Sequence, residues 1–208
     1  MRLYGMRTSQ KFNIQSLRRS NVPSTNIEMI NLGQPLLSVD TRVVAEVDMK
    51  VGDYTIAAQP GTARKLTVTH AKQDELDTLG TIEITGTNML DEVITEVIVP
   101  EEDDVVITEK IFKSVTKVEG KGWVIDGVTG TADKIKVGID DMLGIPIKLE
   151  STHQILFAML GTAIIPIDQF DNGLLGNLGE CGIDVSGATY DGTKWLYLLA
   201  SYNEIYVS

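Results

Sequence analysis

The chain has 208 residues, enough for one medium-sized domain with an extension or for two small β domains. Its hydrophobic fraction of 43% is sufficient to build a core and excludes a wholly disordered chain. The net charge of −11 argues against a protein that binds nucleic acid, because phosphate contacts need a positive surface.

Membrane segments and disulfides are not indicated by the sequence. The longest apolar run, residues 155–167, is interrupted by Gly161 and Pro166 and is shorter than the roughly 20 residues that cross a bilayer. The first residues lack the apolar stretch of a signal peptide, so we expect a protein made and used in the cytoplasm of its producing cell. The single cysteine, Cys181, fits a reducing compartment and is predicted to be a small buried side chain.

Residues 1–40 are predicted to form an extended arm, because polar residues dominate and Pro23 and Pro35 disfavour a long helix. Residues 1–27 carry five basic side chains and no acid, which leaves −16 for the remainder of a chain whose total is −11. This asymmetry suggests docking on an acidic neighbour, including another copy of the chain. A solvated terminus and a contact with packaged nucleic acid are the alternatives. The residues expected to contact a partner are Arg2, Arg7, Lys11, Phe12, Ile14, Leu17, Arg18 and Arg19.

Short strands are predicted from Thr41 onward. A β-branched run at 43–47 ends before Gly52, and residues 65–70 alternate between polar and apolar side chains. Alternation with a period of two is typical of a strand with one buried face. The body therefore begins near residue 41.

A hairpin is predicted over residues 81–99. Apolar and polar residues alternate at 81–85, a turn is indicated at 86–88, and the strand returns at 93–99. The four acids at 101–104 then predict an exposed loop. Neighbouring strands joined in this way are antiparallel.

Further short strands are predicted between residues 111 and 149, separated by turns rich in glycine and aspartate. Residues 153–160 are the best candidate for a helix, although they also fit a strand. Short strands at roughly ten-residue spacing predict an all-β fold, with residues 41–208 forming an antiparallel sandwich or barrel.

Catalytic chemistry finds little support in the sequence. His70 and His153 are the only histidines, and neither lies in the spacing of a zinc site or beside a nucleophile. The glycines of residues 173–179 lack the context of a phosphate-binding loop. An enzyme would need a pocket that joins one histidine to a carboxylate. We therefore predict a non-enzymatic protein without a cofactor or a metal.

Carboxylates and tryptophans leave two binding functions open. Acids at 101–104, Asp126, Asp133 and 140–141 are expected in solvated loops, with calcium binding as the alternative. Trp123 and Trp195 are predicted to be core residues, since aromatic residues make up only 6% of the chain. A sugar-stacking platform would require one of them to be exposed.

Three segments follow one another along the predicted strands: Leu-Gly-Thr-Ile-Glu-Ile-Thr-Gly-Thr-Asn at 79–88, Glu-Val-Ile-Thr-Glu-Val-Ile-Val at 92–99 and Glu-Lys-Ile-Phe-Lys-Ser-Val-Thr-Lys-Val at 109–118. In this order they resemble a β module of virion structural proteins from tailed bacteriophages. The run at 133–149 is similar to the ending of that module, and residues 187–194 are similar to its closing strand.

The resemblance implies a component of a phage particle, assembled in the host cytoplasm and located in the virion. It supplies no catalytic residues. An auxiliary capsid protein, which decorates or cements the head shell, is the function we expect, with the major capsid protein or other virion proteins as partners and with self-association. The alternatives are a tail, head-tail connector or baseplate protein, and a carbohydrate-binding attachment module.

Overall fold

A computed structural model gives the fold, and the residues that it describes are 11–12, 25–126, 131–147, 154–165, 181–184 and 191–203. These residues form fourteen β-strands and no α-helix. Within the same ranges, no helix is long and apolar enough to cross a membrane. Every strand pairing is antiparallel, so the predicted all-β class is confirmed.

The strands form three sheets. Sheet A has the order β1 (Lys11–Phe12), β2 (Thr25–Asn31), β14 (Leu196–Asn203), β11 (Ile155–Leu160) and β12 (Ala163–Ile164). Sheet B has the order β13 (Gly182–Asp184), β10 (Lys134–Gly144), β5 (Arg64–Ala71) and β8 (Val105–Ile107), and β3 (Val39–Asp48) also pairs with β10. Sheet C has the order β4 (Gly52–Asp53), β9 (Ser114–Lys121), β6 (Thr81–Thr87) and β7 (Val93–Ile98).

Sheets B and C face each other and share one hydrophobic core, and we call these two sheets the sandwich. Strand β5 shows why: alternate residues from Arg64 to His70 are buried, and those between them are partly exposed. Strand β6 buries Ile82 and Ile84 from the other side. The period-two alternation in the sequence therefore selects the inner face of each sheet.

A second core lies beneath sheet A. Its buried residues come from β2, β11 and β14, and they pack against the end of β10 and against β13. Strand β10 contributes to both cores, with Val137 in the sandwich and Leu143 under sheet A. This eleven-residue strand thus joins the two parts of the molecule.

The predicted hairpin is confirmed as β6 and β7, paired from Ile82↔Ile98 to Thr87↔Val93. Its turn lies slightly later than expected, where the Asn88 side chain accepts hydrogen bonds from the backbone of Leu90 and Glu92. Glycine is required at position 86, because an added Cβ would lie 1.9 Å from the Ser114 carbonyl oxygen at the bulge between β6 and β9.

Part of the predicted N-terminal arm belongs to the folded body. Residues 25–31 are strand β2, and each of them pairs with a residue of β14. Ile30 is buried in the second core, which gives this segment a hydrophobic reason to pack. Strand β3 begins at Val39, two residues before the predicted start of the body. Of the segment before residue 25, the structure describes only the backbone of β1.

Residues 155–160 are the strand β11, so the structure selects the second of the two predictions for this segment. It pairs with β14 on one side and with β12 on the other. Ala158 and Leu160 are buried beneath sheet A, while Leu156 and Phe157 are exposed. His153 lies outside the described residues.

Candidate assembly surface

Two edge strands lie along one border of the sandwich. Strand β7 is the last strand of sheet C, and β8 is the last strand of sheet B. The Glu96 carboxylate on β7 accepts hydrogen bonds from the backbone N–H groups of Glu109, at 2.6 Å, and Lys110, at 2.9 Å, just beyond β8. These bonds hold the two edges side by side.

Apolar side chains are exposed on both edge strands. On the outer face of sheet C, Val93 is 76% exposed and Val97 is 57% exposed, and Val99 follows at 66%. On β8, Val105 and Ile107 are exposed on the outer face of sheet B. Soluble proteins usually protect their edge strands with charges, proline or short length, so a six-residue edge with exposed valines is a candidate contact surface.

Residues 91–109, which we call the acidic border, contain both edge strands and are densely acidic. Eight carboxylates and no basic residue occur in these 19 positions. Among the described residues, three lysines outside the acidic border contact it: Lys113 with Asp91, Lys72 with Glu102, and Lys110 with the Thr95 carbonyl oxygen. This segment, which includes the exposed valines, therefore has an excess of five negative charges over these contacting lysines.

The loop between the two edge strands is held in place from beneath. The backbone N–H of Asp103 donates to the ring Nδ1 of His70 at 3.3 Å, and the backbone N–H of His70 donates to the Asp104 carbonyl oxygen at 3.2 Å. Lys72 pairs with Glu102 and Glu75, and these hydrogen bonds raise the pKa of the Lys72 ammonium above its usual value. The acidic loop thus keeps a defined position although its residues are exposed, as predicted.

His70 also contacts a carboxylate that the sequence analysis expected in a solvated loop. Asp133 is buried, and its Oδ2 lies 2.9 Å from Nε2 of His70. Because Nδ1 accepts the Asp103 N–H, Nε2 carries the ring proton and donates it to Asp133. The prediction of a solvated Asp133 is wrong, since the pairing of β5 with β10 draws it beneath the loop.

The Asp133 carboxylate is a buried junction of hydrogen bonds. Its Oδ1 accepts the backbone N–H groups of Gln73, at 2.6 Å, and Asp74, at 2.9 Å. Burial raises the pKa of the Asp133 carboxyl, but the hydrogen bonds from these N–H groups and from His70 outweigh it, so the pKa lies below its usual value. The side chains of His70 and Asp133 are 0% and 3% exposed, so the pair anchors loops and offers no surface to a substrate.

Asp74, Asp77 and Asp126 lie close enough together to hold a metal ion, with one carboxylate oxygen of each within 4.8 Å of the others. Hard oxygen ligands of this kind suit calcium. Both oxygens of Asp77 already accept backbone N–H groups, from Asp126 at 2.9 Å and from Asp133 at 3.0 Å. These bonds by themselves account for the closeness of Asp77 to Asp126 and Asp133.

Of the eight residues predicted to contact a partner, Lys11 and Phe12 form β1, which pairs with Glu28 and Ile27 of β2. The other six, Arg2, Arg7, Ile14, Leu17, Arg18 and Arg19, lie outside the described residues. The glycines of 173–179 do so as well. The contact role of the arm therefore remains a prediction.

The two tryptophans differ in their surroundings. Trp123 is buried in the sandwich core, as predicted, at 5% exposure. Trp195 is 47% exposed, so the prediction that it is a core residue is wrong. It directly precedes β14, where Leu196 occupies the buried position. Cys181 is buried, as predicted.

The acidic border was not identified from the sequence as a surface, although two signals were available. Residues 93–99 carry apolar side chains on both faces, whereas a half-buried strand needs them on one face only. Half of the excess negative charge of the body falls in residues 91–109.

No protein-family model, no curated protein and no solved structure matches the chain.

Proposed function

We propose that this chain is an auxiliary capsid protein of a tailed phage, which binds the head shell through the acidic border. The observation that carries the proposal is the pair of edge strands with exposed valines, β7 and β8, because surfaces of this kind are covered in the functional state of a protein. The partners are the major capsid protein or other virion proteins, including further copies of the chain.

The sequence resemblance supports the same proposal from a second direction. Its three best segments correspond to strands β6, β7 and β9, which are neighbours in sheet C. The segments that resemble the virion module thus form one continuous piece of sheet. The exposed valines lie on its outer strand.

The proposal is tested by co-sedimentation of the purified full chain with shells that lack it, prepared from the phage that encodes it. Arginine at both Val93 and Val97 is expected to abolish binding, since two cations would replace the apolar contact. Val51→Arg is the matched control, because Val51 is 65% exposed at the opposite edge of sheet C, beside β4. Undiminished shell binding by the Val93→Arg, Val97→Arg double variant would count against the proposal.

The tail, connector and baseplate alternatives differ in copy number. A shell-decorating protein follows the symmetry of the head and is present in on the order of hundreds of copies, whereas a connector or tail ring has about six or twelve. Quantitative mass spectrometry of purified particles measures this number directly. A value near six or twelve would move the protein from the shell to the tail.

A carbohydrate-binding attachment module is a second candidate, favoured by the exposure of Trp195. An exposed indole can stack on a sugar ring, and this half-exposed ring satisfies that condition. A glycan-binding screen of the wild type and of Trp195→Ala tests the candidate. It is dismissed if the wild type binds no glycan, or if the variant binds equally well.

A further inference from the structure

Strand β7 offers an edge for the addition of another strand. It pairs with β6 on one side only, over six residues, and it is the last strand of sheet C within the described parts of the chain. Val93 and Val97 are exposed on the outer face of β7, and a paired neighbouring strand would cover them. Main-chain hydrogen bonds would supply affinity, and these side chains would supply specificity.

The charge around this edge selects a basic occupant. The eight carboxylates of the acidic border outnumber by five the described lysines that contact it. An acidic strand would be repelled by the negative charge of the acidic border, and a neutral strand would leave that charge uncompensated. A basic strand is attracted to it. The occupant should therefore be extended, basic and partly apolar.

One segment of the chain has these properties and lies outside the described fold. Residues 1–10 contain Arg2 and Arg7, no acid, and the apolar residues Leu3, Tyr4 and Met6. The stretch 2–7 has the same length as β7, and in a strand Tyr4 and Met6 would lie on one face.

We infer that residues 1–10 of one copy add as a strand to the β7 edge of a second copy, where Arg2 and Arg7 meet the carboxylates of the acidic border. This inference rests on the proposed function and specifies one of its partners. The acidic border then binds another copy of the chain as well as the shell.

A second copy is the expected source of the segment because β1 ties it to the other part of its own molecule. Lys11 and Phe12 pair with β2 at the edge of sheet A, which covers a different core from that of sheet C. Ten extended residues reach at most about 35 Å beyond this point, a distance suited to a neighbouring subunit. The contact joins two different surfaces, so copies assemble head to tail into a ring or a chain.

Sedimentation velocity of the full chain at about 1 to 100 µM, the range of weak specific contacts, tests the inference. The wild type should associate, and association should weaken as salt is raised. The Arg2→Glu, Arg7→Glu variant should weaken it at least about tenfold, and the Val93→Arg, Val97→Arg variant should abolish it. The Arg18→Glu, Arg19→Glu variant, with the same charge change beyond β1, should retain it.

Mixing two defective variants gives the sharpest result. The Arg2→Glu, Arg7→Glu variant keeps an intact β7 edge, and the Val93→Arg, Val97→Arg variant keeps an intact basic segment. At a concentration at which neither variant associates alone, an equimolar mixture should form a 1:1 dimer and nothing larger, since only one productive contact remains.

The inference is overturned if the wild type is monomeric or if Arg2→Glu, Arg7→Glu leaves association unweakened. It is also overturned if the Arg18→Glu, Arg19→Glu control loses association equally, or if the mixture stays monomeric. Circular dichroism of each variant verifies folding, and residues 1–10 lie outside the described strands. The shell-binding assay is a separate readout. A monomer that binds shells counts against this inference alone, whereas an associating protein that ignores shells counts against the proposed function.

Discussion

The sandwich and sheet A are built from the chain in different ways. Apart from the three-residue strand β13, every strand of the sandwich lies between residues 39 and 144, and several neighbours in its sheets are close in sequence. Sheet A joins strands from residues 11–31 with strands from residues 155–203. The central pairing of sheet A, β2 with β14, therefore forms only after the whole sandwich segment has been brought into a closed loop.

This difference has consequences for stability. Loop closure costs more for a longer loop, although the cost grows slowly, and a pairing of distant segments depends on everything between them. The sandwich also contains the buried His70–Asp133 junction, which ties three segments together. We expect sheet A to open at a lower free energy than the sandwich.

The largest loss of stability is expected from Asp133→Ala, which removes the carboxylate at the buried His70–Asp133 junction of the sandwich. It leaves the His70 ring N–H and two backbone N–H groups without their acceptor, at about 1–3 kcal/mol each, so the free energy of unfolding should fall by about 3–9 kcal/mol. Chemical denaturation measures it. Asp48→Ala removes an exposed ion pair with Lys134 and should cost no more than about 1 kcal/mol. Equal losses in the two variants would refute the buried role of Asp133.

Truncation of a core side chain under sheet A should destabilise the protein strongly, but only in that part of the fold. Leu198→Ala removes a fully buried side chain and should cost about 2–5 kcal/mol. Native-state hydrogen exchange should show faster exchange in β2, β11 and β14, with β5 and β6 still protected. Leu156→Ala, at an exposed position of β11, is the control and should change little. Equal loss of protection in both parts would mean that they unfold as one unit.

Acid should weaken the sandwich through the same junction. The pKa of Asp133 is lower in the folded protein than its usual value of 3.8, so its ionised form contributes stability above that value. This contribution is lost as the pH falls below about 4 and passes through the lowered pKa of the folded state. The difference in unfolding free energy between wild type and Asp133→Asn should shrink over this range. A difference independent of pH would contradict the assignment.

The smallest effect concerns a carboxylate on the sheet A side. The hydroxyl and N–H groups of Thr193 donate to Asp191 and, with the Lys194 N–H, lower the pKa of its carboxyl to about 2. Thr193→Val removes the hydroxyl donor and should raise this pKa toward its usual value, as followed by NMR titration. Global stability should hardly change, since the site is exposed. An unmoved midpoint would show that the hydroxyl bond is absent in solution.

Local patterns predicted the sandwich well. The β6–β7 hairpin and the alternation along β5 are encoded within a few residues, because side chains of a strand alternate between its faces and a turn specifies its neighbour. The all-β class follows from many such segments. Residue type predicted the buried state of Trp123 and Cys181, but the same argument failed for Trp195.

Tertiary pairing decided what local patterns do not encode. Residues 25–31 resemble an arm by themselves, and they become a strand because β14, some 170 positions away, supplies the neighbour. The register of β5 on β10 sets His70 opposite Ile135 and brings Asp133 to the histidine ring, although 63 positions separate the two residues.

The sequence by itself determined the class of the fold, the inner faces of its strands and the opposite charges of its first residues and its body. Only the tertiary structure decided which strands are edges, and hence that Val93 and Val97 remain exposed. The reason is physical. Alternation fixes which face of a strand is apolar, whereas exposure depends on whether another strand or sheet covers that face.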